Sequence, residues 1–103
     1  MATESKIRNK IAVRDDIEEP NQFRVIFLND SVTTAEFVIE TLMLSFNYNE
    51  ERAVETTQLI SDQGSAVIAV LPYEIAEQKG IEVTMEARTE GFPLQVKIEA
   101  DNQ

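Results

Sequence analysis

The sequence predicts an α+β fold, a compact two-layer sandwich in which strands and helices follow the order βααβαβ. Residues 23–28 are apolar at five of six positions and rich in β-favouring residues, which indicates a buried strand. Near the other end, Leu94, Val96 and Ile98 alternate with polar residues, the period of a half-buried strand. Helical patterns fill most of the chain between them, and three strands can bury one face beneath a helical layer.

The first predicted helix follows the first strand closely. Thr33 and Glu36 have the spacing of a capping box, with Thr33 as the cap and Glu36 as its partner, so the helix is predicted to begin at Phe37. Residues 47–49 then break the pattern. The apolar positions of this helix are Phe37, Leu42, Leu44 and Phe46.

The second predicted helix has clear signals at both ends. Asn49 is a good N-cap, the next two glutamates suit the positive end of the helix dipole, and Gly64 ends the helix. Its buried stripe is predicted to comprise Ala53, Thr57, Leu59 and Ile60.

Residues that favour turns and helix ends predict the bounds of the remaining elements. Residues 65–71 form the second strand, and Pro72 is placed in the first turn of a third helix that runs towards Arg88 and stops at Gly91. Gly80 lies inside that helix, where glycine costs about 1 kcal/mol relative to alanine. We therefore expect Gly80 to mark close packing of the helix on the sheet.

The length of 103 residues indicates one domain, residues 21–103, preceded by a flexible extension, residues 1–20. The chain has no Cys and no His, which excludes thiol nucleophiles, Ser-His-Asp triads and the usual zinc and iron ligands. No calcium-loop spacing occurs either. The sequence therefore predicts no enzyme, no metal and no cofactor.

Charge is distributed unevenly along the chain. The net charge is −10, and from Pro20 onward there are five cations and fourteen anions. Such a surface repels phosphate and anionic lipid, so we expect neither nucleic acid nor membrane as a partner. The start shows no signal peptide and no segment is long enough to span a membrane, so the cytoplasm is the expected location, or the stroma in a plastid-bearing organism.

The extension has its own charge pattern. Residues 6–14 carry all four of its cations, and an acidic stretch follows. A solvated arm explains this pattern at least as well as a docking peptide does, and both interpretations stay open.

Asn29 and Asp30 lie between the first strand and the first helix. A carboxylate and an amide held between two rigid elements make a candidate binding site. The alternative is that both residues simply turn the chain, because their side chains bond nearby backbone N–H groups.

Beyond these patterns, the chain resembles the ClpS family over about residues 20–99. No single motif decides this, but their order and spacing are fairly specific. The matching positions are residues 23–30, Thr33, residues 36–38, residues 51–53, Gln63, Gly64, residues 74–77, Lys79, Ala87, Arg88, Pro93 and Leu94. The family fold is similar to the C-terminal domain of the large-ribosomal-subunit stalk protein, and the resemblance implies an antiparallel sheet.

ClpS proteins are adaptors that deliver proteins with N-terminal destabilising residues (N-degrons) to a Clp AAA+ unfoldase. The resemblance implies that Asn29 and Asp30 receive the substrate's α-amino group, with Thr33 at the rim. An ammonium offers only donors, which suits these acceptors. The implied pocket for the first side chain comprises Ala35, Val38, Thr57, Ile60 and Leu94.

Several positions depart from the family pattern. Ser31 and Thr34 replace a usual Asp and Pro, Ala35 replaces a Met gate, and Thr57 replaces a Met of the pocket wall. Ser61 stands where a His usually helps to hold the amine, and it cannot reach as far. The hypothesis is an adaptor with altered or relaxed specificity, or one that has lost this recognition.

The resemblance also implies that Glu74 and Lys79 dock the N-terminal domain of a ClpA-type or ClpC-type unfoldase, with the chain as a monomer. Without it, they are an ordinary solvated helix face. Carboxylate pairs such as Glu86 and Glu90 are interpreted as surface charge. Two alternative functions stay open: a regulator that docks the unfoldase without binding N-degrons, and an interaction module of ribosomal-stalk type.

Overall fold

The computed structural model describes residues 21–102, so the predicted extension, residues 1–20, lies entirely outside the described residues. The order of the elements is βααβαβ, as predicted. They are β1 (Phe23–Leu28), α1 (Ala35–Phe46), α2 (Glu50–Gln63), β2 (Ser65–Leu71), α3 (Tyr73–Thr89) and β3 (Gln95–Ala100).

The three strands form one antiparallel sheet in the order β2-β1-β3. β1 is the central strand, and its Val25 and Phe27 are fully buried. Phe23 pairs with Leu71 of β2 and with Ala100 of β3, whereas Leu28 pairs with Ser65 and Gln95. The predicted sandwich is thus confirmed, with β2 and β3 as its edges.

The core lies between the sheet and the helices. Leu42, Ala53, Val83 and Leu94 join the buried β1 residues in one cluster. Tyr48 packs into this cluster, and its hydroxyl donates to the Ile68 carbonyl at 2.8 Å. This buried hydrogen bond ties the α1–α2 connection to β2.

The start of α1 differs from the prediction. The helix begins at Ala35, and the cap is Thr34, whose hydroxyl oxygen accepts from the Phe37 N–H at 3.1 Å. Thr33 is not the cap, because its hydroxyl donates to Asp30 instead. Glu36 is therefore not the partner in a capping box with Thr33, whose N–H also donates to Asp30.

Both predicted ends of α2 are confirmed. The Asn49 side chain accepts from the Arg52 N–H at 2.8 Å, and Gly64 ends the helix with φ of 91°, a left-handed conformation that favours glycine. Ala53 and Ile60 are buried as expected, but Leu59 is 42% exposed, so its place in the buried stripe is wrong. The sheet has only three strands, which leaves part of each helix uncovered.

α3 packs along β3. Pro72 is the N-cap, one residue before the predicted first turn, and Gly91 follows the last helical turn. Gly80 is buried, and a Cβ placed there would lie 3.5 Å from Ile98 Cδ1 and 3.6 Å from Val96 Cγ1. The predicted helix-sheet packing is confirmed, although these are ordinary contact distances that an alanine would also meet.

Candidate functional site

The turn after β1 is built around the Asp30 carboxylate. Asn29 still belongs to the sheet edge, because its N–H donates to the Gly64 carbonyl at 2.9 Å. Asp30 Oδ1 then accepts from the N–H groups of Val32 and Thr33 at 2.8 and 2.6 Å. Its Oδ2 accepts from the Thr33 hydroxyl at 2.8 Å. These three hydrogen bonds fix the carboxylate between β1 and α1.

The same surroundings keep Asp30 ionised. Burial acts to raise its pKa, but the hydrogen bonds from Thr33 and Val32 and the nearby Arg88 guanidinium together outweigh burial and lower the pKa below its usual value. Asp30 therefore presents a fixed negative charge at neutral pH.

Arg88 connects this charge to the segment before β3. Its Nη1 donates to the Phe92 and Leu94 carbonyls, both at 2.9 Å. The guanidinium thus positions Leu94 and also contributes to the potential at Asp30. The sequence placed Arg88 at the end of a helix and among the positions that match the ClpS family, but no role in the site was predicted for it. The signal was a lone cation just before Gly91, but its partners could not be read locally.

Asn29 is exposed beside Asp30. Within residues 21–102 its side chain makes no hydrogen bond, while its backbone is held by Gly64. Its amide oxygen is consequently available as an acceptor at the surface.

The residues predicted to hold a first side chain fall into two groups. Val38, Ile60 and Leu94 belong to one buried cluster, with exposures of 7%, 4% and 2%. All three are part of the main hydrophobic core, to which α1, α2 and the segment before β3 contribute. Thr33 and Thr57 are half-buried, and Ala35 and Ser61 are exposed on the first turn of α1 and the last turn of α2.

Thr57 replaces the methionine that the family resemblance implies in the pocket wall. Its hydroxyl donates to the Ala53 carbonyl at 2.8 Å, one helical turn earlier. This bond satisfies the hydroxyl within α2. Thr57 is thus smaller than the expected methionine, and its polar group is already engaged.

The two residues predicted to dock a partner lie on α3. Glu74 is exposed in the first turn. Lys79 is half-buried, with its Nζ 5.8 Å from the centre of the Phe46 ring. Tyr73 and Ile75 flank Glu74 and are 47% and 49% exposed, which gives this end of α3 an apolar surface around a charge.

A second concave surface lies between α1 and α3 and has a volume of about 580 Å³. We call it the acidic groove. Its lining residues are Thr34, Glu36, Phe37, Glu40, Thr41, Leu44, Glu86, Thr89, Glu90 and Phe92. Sequence reasoning missed it, because its two walls are far apart along the chain.

Residues 21–102 contain no cluster of acidic side chains arranged to hold a metal ion. In the same part of the chain, no helix combines the length and apolarity that a membrane span needs.

Comparison with known proteins identifies the family. The model of the ATP-dependent Clp protease adaptor protein ClpS matches residues 18–97. The ClpS adaptor of Wolinella succinogenes is 38% identical over 96 residues, covering 93% of this chain and 90% of that protein. The ClpS adaptor of Nautilia profundicola is 41% identical over 92 residues, covering 87% and 95%.

A solved structure agrees with this assignment. Agrobacterium tumefaciens ClpS2, bound to L-phenylalaninamide, superposes with a TM-score of 0.77 and 34% identity, covering 81% of this chain and 100% of that chain. Fold and sequence thus point to the same group of proteins, as the resemblance had indicated. The chain belongs to the ClpS family of ATP-dependent Clp protease adaptor proteins.

Proposed function

We propose that this protein binds other proteins by their N-terminal residue and delivers them to a Clp AAA+ unfoldase. The observation that carries the proposal is the Asp30 carboxylate, which is ionised, fixed by three hydrogen bonds and placed beside the exposed Asn29. A protein's free α-amino group is an ammonium with three donors and no acceptor. It requires a site of this kind.

The acceptor capacity at Asp30 is limited. A carboxylate has about four acceptor positions, and the turn occupies three of them. We infer that the ammonium donates one hydrogen bond to the remaining position on Oδ2 and a second to the Asn29 amide oxygen. Ser61, exposed at the end of α2, adds at most a water-mediated contact.

The first side chain would pack on Val38, Ile60 and Leu94. All three are buried in the main core, and Arg88 donates to the Leu94 carbonyl. The ligand of Agrobacterium tumefaciens ClpS2, L-phenylalaninamide, combines a free α-amine with an aromatic side chain. The arrangement here supports a ligand of the same kind for this chain.

We propose that specificity is relaxed at the entrance of the pocket. Ala35 has only a methyl group and is exposed at the start of α1, so it cannot close the entrance as a methionine would. First residues branched at Cβ, such as Ile and Val, should then be accepted along with Leu, Phe, Tyr and Trp.

Fluorescence polarisation across peptides that differ only at the first residue tests this proposal. Large apolar first residues should bind, and acetylation of the α-amine should abolish binding. The variant Ala35→Met should weaken binding of Ile and Val peptides by about tenfold while sparing Leu and Phe peptides. Equal affinity for free and acetylated peptides would contradict the proposed amine site. Unchanged affinity of Ala35→Met for Ile and Val peptides would contradict only the proposed relaxed entrance.

Docking to the unfoldase is the second half of the proposal. We assign it to the exposed start of α3, with Glu74 and Lys79 contacting the N-terminal domain of a ClpA-type or ClpC-type partner in the cytoplasm or stroma. Titration calorimetry with that domain should show binding that Glu74→Ala weakens. The matched control is Glu82→Ala, an exposed glutamate farther along the same helix.

One observation favours a second candidate function. Because the turn itself occupies most of the acceptor positions of Asp30, its carboxylate has an evident structural role without any ligand. A regulator that docks the unfoldase without binding N-degrons would show calorimetric binding to the N-terminal domain but no peptide binding. The two assays together separate these functions.

A further inference from the structure

The acidic groove between α1 and α3 has features that the proposed amine site does not use. Its carboxylates come from two i,i+4 pairs, Glu36 with Glu40 on α1 and Glu86 with Glu90 on α3. All four are exposed, and within residues 21–102 none lies in a salt bridge. The groove is therefore strongly negative and faces solvent.

Thr41 supplies an independent sign of a ligand. It lines the groove and is only 4% exposed, the one buried polar side chain among the described residues. The hydroxyls of Thr57 and Thr89 bond the carbonyl four residues earlier. Within residues 21–102, that of Thr41 makes no hydrogen bond. Because Thr41 lines the groove, this hydroxyl is available to donate to, or accept from, a bound polar group.

Apolar side chains complete the surface. Phe37 and Phe92 stack edge to face with ring centres 5.3 Å apart, and both line the groove. Leu44, also in the lining, is 78% exposed. The occupant must therefore combine positive charges with apolar side chains, as an amphipathic basic peptide does.

We propose that the occupant is the chain's own residues 6–14. This segment carries four cations and three large aliphatic side chains and no acidic residue. Lys6, Lys10 and Arg14 recur every four residues, which is the spacing within each glutamate pair of the groove. The four cations of the segment equal the four glutamates of the groove in number and are opposite to them in charge. The acids among residues 15–19 exclude the next stretch from this role.

The position of the segment permits this docking. The described chain begins at Asn21, next to Phe23, which pairs with Leu71. Leu71 and Leu44 line one small cavity, and Leu44 also lines the acidic groove. The groove thus begins near the end of the domain that residues 15–20 join. Those six residues span up to about 20 Å when extended. The groove extends along α1 from Leu44 to Glu36, roughly 12 Å, so the linker is longer than the groove.

Paramagnetic relaxation measurements on the full chain test this proposal. The chain has no Cys, so Ser5→Cys gives a single site for a nitroxide label next to the segment. The label should broaden amide signals of groove residues and leave those of α2 unaffected. High salt should reduce the effect, because screening shortens the reach of charge interactions to about 3 Å at 1 M.

Two double variants, each neutralising two exposed glutamates, give matched comparisons. Glu40→Gln with Glu86→Gln in the groove should reduce the relaxation effect severalfold, whereas Glu51→Gln with Glu55→Gln on α2 should leave it unchanged. Thr41→Val should also reduce it, while circular dichroism shows that the fold is retained.

Three outcomes would overturn the proposal. The first is broadening that is absent, uniform or centred elsewhere, and the second is an equal loss in both double variants. The third is broadening in a mixture of two proteins: spin-labelled chains that lack ¹⁵N and ¹⁵N chains that carry no spin label. Broadening there would mean that the groove holds the segment of a second copy. None of these readouts involves a peptide substrate, so they are independent of the proposed function.

Discussion

Two acidic regions flank the start of α1, and they differ in how their carboxylates are bonded. At the turn, a single carboxylate, Asp30, accepts three hydrogen bonds, and its pKa is lowered. In the acidic groove, four carboxylates are exposed, and none lies in a salt bridge within the described chain. Counting acidic residues therefore does not separate a carboxylate that the fold itself stabilises from carboxylates that are open to a partner. Their hydrogen bonds do.

Adjacent threonines connect the two regions. Thr33 donates its N–H and hydroxyl to Asp30, whereas Thr34 caps α1 and lines the groove. Each threonine therefore serves one region, and substitutions at these positions should separate the two.

The largest effect is expected from Asp30→Ala. It removes the charge proposed to hold the α-amine, and a charged hydrogen bond contributes about 1.5–3 kcal/mol, so peptide affinity should fall by about 10-fold to 100-fold. Loss of the bonds within the turn should also lower the free energy of unfolding by about 1–3 kcal/mol. Fluorescence polarisation and urea unfolding measure the two effects.

The groove double variant Glu40→Gln with Glu86→Gln is the control for this experiment. It should leave both peptide affinity and stability within error, because these carboxylates are exposed and, within the described chain, unpaired. An equal loss of affinity in both proteins would mean that amine binding follows overall negative charge rather than the turn.

Acid should affect the turn next most strongly. Because the pKa of Asp30 is lowered on folding, its ionised form contributes stability above the unfolded pKa of about 4, and this contribution is lost as pH falls through the folded value. The difference in unfolding free energy between the wild type and Asp30→Asn should therefore be constant from neutral pH to about pH 5 and shrink at lower pH. A difference that grows in acid would contradict the assignment.

A smaller effect is expected at the cap of α1. Thr34→Ala removes the bond to the Phe37 N–H and should cost about 1 kcal/mol of unfolding free energy in a urea titration. Glu36→Gln should cost almost nothing, because Glu36 is not part of a capping box. If Glu36→Gln lowered the free energy of unfolding as much as Thr34→Ala does, the predicted capping box of Thr33 and Glu36 would be supported after all.

The smallest effect is expected on the face of α3 that packs on β3. Gly80→Ala should raise the free energy of unfolding by about 0.5–1 kcal/mol, because the helix gains a better former and the new Cβ meets Ile98 and Val96 at ordinary distances. Peptide affinity should not change. Destabilisation in thermal or urea unfolding would show that α3 and β3 pack too tightly for a methyl group.

Local signals explain why much of the fold was predictable. β2 is confirmed residue for residue, and Asn49 and Gly64 bound α2 as expected, because caps and turn residues act within a few positions. Local propensities could not decide whether Thr33 or Thr34 is the cap of α1. The choice depended on Asp30 taking the hydroxyl of Thr33, which no propensity reveals.

The candidate site divides in the same way. Asn29 and Asp30 were found from their position between a strand and a helix, and the buried Val38, Ile60 and Leu94 through the family resemblance. The role of Arg88 depends on tertiary contacts with Asp30, Phe92 and Leu94. The acidic groove joins α1 to α3, so it exists only after folding.

The most direct test of the central claim is a double-mutant cycle between Asp30 and the substrate amine. Affinities are measured by fluorescence polarisation for a free and an N-acetylated Phe peptide, each with the wild type and with Asp30→Asn. If Asp30 holds the ammonium, acetylation and Asp30→Asn should each weaken binding, and their effects should couple by about 1.5 kcal/mol or more. Additive effects, with no coupling, would contradict the claim and leave Asp30 as a residue that only builds the turn.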